Sequence, residues 1–118
     1  MSRFLAAALA GLLLSGVAGA STDGATSLAV GGGFLLGNAD RCGISGERVA
    51  RAGRIIDRMI RAAAGDAGET RNAEQRFAAV FIAAAYPHPG GNALVPSCRV
   101  VRAQFDRLER HHRQAGLD

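Results

Sequence analysis

The sequence contains no lysine; all 14 of its basic residues are arginine. It also has no tryptophan, one tyrosine and three prolines in 118 residues. With so few aromatics among the basic residues, and a formal net charge of only +4, the chain lacks the stacking platforms and concentrated charge of a dedicated nucleic-acid binder. Arginine, alanine and glycine have GC-rich codons and lysine AT-rich ones. The missing lysine therefore reads first as a genome bias, pointing to a GC-rich bacterium, and only second as a functional choice. Catalytic signatures are missing too. Neither Ser45 nor Ser97 sits in a Gly-x-Ser-x-Gly context or near a base placed by the sequence. Both are better explained as helix caps. No enzyme activity, metal or cofactor is expected.

What is present begins with an export signal. Arg3 supplies one positive charge, residues 4–14 are apolar apart from Gly11, and Ala18, Gly19 and Ala20 form a small-residue box. This order of charge, apolar core and cleavage box defines a secretory signal peptide, with Ala18 and Ala20 at the −3 and −1 positions. The apolar run is about 11 residues, too short for a spanning helix, which needs about 20. No cysteine follows it, which argues against a lipoprotein anchor. The expected organisation is a signal peptide over 1–20 and a single small domain over 21–118, periplasmic or secreted.

Two cysteines, Cys42 and Cys98, lie 56 positions apart. In an oxidising compartment a lone pair most simply forms an intramolecular disulfide. Closing such a loop is worth roughly 4 kcal/mol in the chain-entropy model.

Hydrophobic periodicity then predicts helices. A segment over 26–41 carries Leu28, Val30, Phe34, Leu35 and Leu36, but Gly31, Gly32 and Gly33 oppose a helix at about 1 kcal/mol each relative to alanine. Gly33 and Gly37 have the spacing that lets a helix approach a neighbour closely. The clearest helix starts after Ser45 and ends near Gly65. Val49, Ala52, Ile55, Ile56, Met59, Ile60 and Ala63 share one face. A third helix is predicted from about Thr70 to before Pro87. Every residue over 77–85 is apolar, so protein is expected all round that half. Residues 87–92 form a turn by composition. A fourth helix opens near Pro96 or Ser97, with Cys98, Val101, Phe105, Leu108 and His112 on its inner face. Residues 21–26 are expected to fray. The fold class is all-α, a small bundle of three or four helices closed by one disulfide.

Three features could carry function. Arg51, Arg54, Arg58 and Arg61 lie opposite the apolar face of the second helix and form a candidate anion site, because guanidinium donors match carboxylate and phosphate in pairs. The simpler account is a solvated face with local pairs, Glu47/Arg51 and Asp57/Arg61, although Arg54 and Arg58 lack such an acid. Arg102/Asp106, Asp106/Arg110 and Glu109/Arg113 are further i,i+4 pairs. His88, between two prolines, is a candidate partner loop. His111 and His112 diverge by about 100° on a helix and do not chelate one metal. The expected function is an exported, non-enzymatic protein that binds another macromolecule, as inhibitors, immunity factors, chaperones and envelope accessory proteins do. The alternative is an envelope-surface binder of anionic lipid or polysaccharide through the arginine stripe.

Overall fold

The computed structural model describes residues 20–89 and 95–114, with side chains from Gly24 onward. The proposed signal peptide, apart from Ala20, and residues 90–92 of the 87–92 turn lie outside the described residues. Four helices occur: α1 (Ala20–Arg41), α2 (Gly46–Ala63), α3 (Ala67–Ala85) and α4 (Cys98–Gln114), with no strand among the described residues. The chain is all-α, and Cys42 and Cys98 are joined as a disulfide with their Cα atoms 5.5 Å apart.

The glycine-interrupted segment is the central helix. α1 packs against all three others, most extensively against α3. Its glycines allow this. A Cβ at Gly33 would lie 2.7 Å from the Phe77 carbonyl oxygen, and one at Gly37 would collide with the Phe81 carbonyl and lie 2.8 Å from the Ala84 Cβ. The propensity cost of glycine is thus offset by backbone-to-backbone packing that no larger residue permits. The same burial corrects the expected fraying over 21–26: α1 already includes these residues, and Ala25 joins the core. α1 stops at Gly43, whose φ of +86° suits only glycine at low cost. Gly43 N–H donates to Asp40 O at 3.1 Å and Ile44 N–H to Ala39 O at 3.0 Å, a Schellman cap.

α2 follows its sequence pattern. Ser45 caps it by accepting from Arg48 N–H at 3.3 Å, and Val49, Ala52, Ile55, Ile56 and Ile60 are buried. Met59 departs from the expected face and is 40% exposed. α3 begins three residues earlier than Thr70 because Asp66 caps it. Asp66 accepts from Glu69 N–H at 2.8 Å, and the Glu69 carboxylate reaches back to accept from the N–H of Gly65, just before the cap, at 2.7 Å. On α4, Ser97 accepts from Val100 N–H at 3.3 Å, and Val101, Phe105 and His112 are buried.

The expectation for 77–85 is overturned. Only Ala85 of that run is buried, while Ala78, Ala79, Ile82 and Ala83 are exposed, Ile82 to 58%. With α1 on one side and no further described element on the other, α3 is covered on a single face. An apolar run therefore marks here a helix wall rather than an encircled core segment.

Candidate functional site

Two concave surfaces flank α2. The first is a cleft of about 480 Å³ between α2 and α4. From α2, Arg51, Arg54 and Arg58 line it, with Ala52 and Ile55 beneath. From α4 come Glu109, His112 and Arg113. The structure thus gathers three of the four stripe arginines. The fourth, Arg61, turns toward α3, where its Nε lies 2.8 Å from Asp57 and its Nη2 3.1 Å from Glu74. There the Asp57 and Glu74 carboxyls hydrogen-bond each other. That contact, aided by Arg61, holds Asp57 below its ordinary pKa; the same contact, aided by burial, raises Glu74 above its own.

Of the i,i+4 pairs read from the sequence, Asp57/Arg61 forms. No Glu47/Arg51 pair occurs among the described residues, and the α4 pairs give way to contacts between helices. Arg48 crosses from α2 to α4, placing Nη2 2.6 Å from Glu109 and 3.3 Å from Asp106, with its guanidinium carbon 5.2 Å from the centroid of the Phe105 ring. Arg102 donates from Nη2 to Cys42 O at 2.8 Å instead of pairing with Asp106. Because Arg48 takes both carboxylates on this side of α4, no ion pair involves Arg51, Arg54 or Arg113 among the described residues.

His112 is 5% exposed, and its Nε2 lies 3.3 Å from Arg58 Nη2. This contact ties Arg58 to the base of the cleft. Arg48, Glu109, His112 and Arg113 were not legible as a group in the sequence. The available signal was that Asp106 and Glu109, three apart, project from one side of α4 with no acid partnering Arg48 at helical spacing.

The second surface is an apolar groove of about 570 Å³ on the opposite side of α2. Leu36 of α1 contributes to it, with Val49, Ala50 and Gly53 of α2 facing Ala78, Phe81 and Ile82 of α3. It exists because α2 and α3 both pack on α1 but touch each other little. Tyr86, just beyond α3, is 73% exposed.

The remaining candidates stand apart. His88 is exposed in the segment after α3, away from both surfaces. The disulfide sits at the α1–α4 junction, where Arg41 binds Asn38 Oδ1 through Nε at 3.0 Å and Pro96 O through Nη2 at 2.9 Å. Among the described residues no three His, Cys, Asp or Glu side chains cluster as metal ligands, and no helix is long and apolar enough to cross a membrane. No protein-family model, curated protein or solved structure matches the chain.

Proposed function

We propose that the mature chain, residues 21–118, is an exported, non-enzymatic protein that binds a protein partner in the cell envelope or outside it, and that the partner occupies the apolar groove between α2 and α3. The groove carries this reading. Its α3 wall leaves Ile82 58% exposed, and contiguous apolar surface of this kind marks interaction sites. Two helices flanking a floor supplied by a third form the geometry that accepts the apolar face of an amphipathic helix. Export rests on the charge, apolar core and small-residue box of residues 1–20, and the Cys42–Cys98 disulfide is compatible with an oxidising compartment.

The test is site-specific photocrosslinking in the producing cell. A crosslinker at Ala78, in the groove, should give a defined adduct with another protein, while one at Gln104, on the exposed side of α4, should not. Ile82→Asp should abolish the adduct, because a charge in the apolar wall must be desolvated for the partner to seat. An adduct only with a second copy of this chain, or only with lipid, or none from Ala78, overturns the reading.

A further inference from the structure

The arginine cleft lies across α2 from the groove, and a helical partner in the groove does not account for it. Its charge balance is the first observation. Among the described residues, Arg51, Arg54 and Arg113 line the cleft with one carboxylate, Glu109, and that carboxylate already lies 2.6 Å from Arg48. Like charges held within one or two turns repel, so the cluster builds a positive potential that focuses on the concave surface between the helices. The second observation is geometric. The guanidiniums arrive from two helices, so donors approach a central anion from more than one direction. A carboxylate offers its acceptor lone pairs in one plane, whereas a phosphate presents oxygens in a tetrahedral array that several arginine forks can engage together. The third is size. About 480 Å³ is within the range of small-molecule sites and exceeds a bare phosphate, which leaves room for the organic part of an ester.

We propose that this cleft binds a phosphate ester, with Arg51, Arg54, Arg58 and Arg113 holding the phosphate. His112 is a positioning residue that fixes Arg58 through the 3.3 Å contact. The ester is either a soluble phosphorylated compound or a phospholipid headgroup. This site is independent of the groove, and failure of the crosslinking test leaves it standing.

The test uses the oxidised protein with glycerol 3-phosphate in calorimetric titration and vesicles of phosphatidylglycerol and phosphatidylcholine in co-sedimentation. Variants Arg51→Gln with Arg54→Gln remove two guanidiniums from the cleft, and Arg61→Gln removes one outside it. The double variant should weaken binding by about tenfold or more, from the loss of charge-assisted hydrogen bonds. Arg61→Gln should bind as the wild type does, and thermal unfolding identifies any variant that has lost its fold. Binding of glycerol 3-phosphate without vesicle binding identifies a soluble ester. Vesicle binding that glycerol 3-phosphate displaces identifies the headgroup. No binding of either probe, acetate binding as tightly as the phosphate at equal ionic strength, or equal binding by the folded double variant overturns the proposal.

Discussion

Replacing Gly37 with alanine should destabilise the protein, and replacing Gly31 in the same helix should not. Alanine in a helix interior is favoured over glycine by about 1 kcal/mol, so propensity alone predicts a gain at both positions. At Gly31 nothing lies within 4 Å of an added Cβ, and Gly31→Ala should stabilise by up to about 1 kcal/mol. At Gly37 the methyl meets the Phe81 carbonyl oxygen, the Ala84 Cβ at 2.8 Å and the Ala85 nitrogen at 3.1 Å. Two of these atoms belong to the α3 backbone, which cannot rotate away, so α1 and α3 must separate along their main contact. Overpacking of this kind costs about 1–3 kcal/mol or more. Even after the propensity gain, Gly37→Ala should lose about 2 kcal/mol, which corresponds to roughly 10 °C in Tm for a domain of this size. Circular dichroism of the oxidised protein during thermal and urea unfolding measures both. A Gly37→Ala variant as stable as the wild type would refute the close α1–α3 approach.

The disulfide should be essential to stability: Cys42→Ser should cost about 2–5 kcal/mol in chemical denaturation, and two titratable thiols in protein isolated without reductant would show that the bridge does not form. The carboxyl pair between α2 and α3 gives a pH-dependent prediction. The depressed Asp57 pKa contributes stability that is present above its ordinary value of 3.8 and lost as pH falls through the folded value. Glu74, raised from 4.5, works in the opposite sense: its contribution is present below that value and lost as pH rises through the folded one. Glu74→Ala removes the hydrogen bond that most lowers Asp57, so the Asp57 pKa followed by carboxyl NMR should move up. An unchanged value would assign the lowering to Arg61 alone.

Local physics made α2 and α4 readable in advance. Val49, Ile56 and Ile60 repeat at helical spacing, Ser45 and Ser97 are short oxygen-bearing caps, and a lone cysteine pair has one simple way to close. The Asp66 cap is written in the sequence, with Glu69 three residues on, but the apolar spacing that predicts the helix begins only past Thr70, so periodicity alone starts α3 too late. The glycines of α1 were ambiguous for a physical reason: their propensity cost is local, while the close packing that offsets it depends on α3, more than forty residues away. The outer wall of α3 departs from its sequence pattern for the converse reason, since hydrophobicity records that a residue can be buried and not whether anything is present to bury it. The cleft was half legible. Periodicity placed Arg51, Arg54 and Arg58 together, but Arg48 bridging to Glu109 depends on how two helices lie against each other, which no one-dimensional spacing encodes.

The Cys42–Cys98 bond also determines how the fold would carry mechanical load. A force drawing apart the outer ends of α1 and α4 runs along α1 to Cys42, through the sulfur atoms to Cys98, and out along α4. Residues 43–97, which include all of α2 and α3, are off that path. Tension could therefore peel the two terminal helices from their neighbours while the intervening hairpin of helices carries no direct pull, and the extension at which the chain runs taut would be shorter by the whole length of that loop until the bond is reduced.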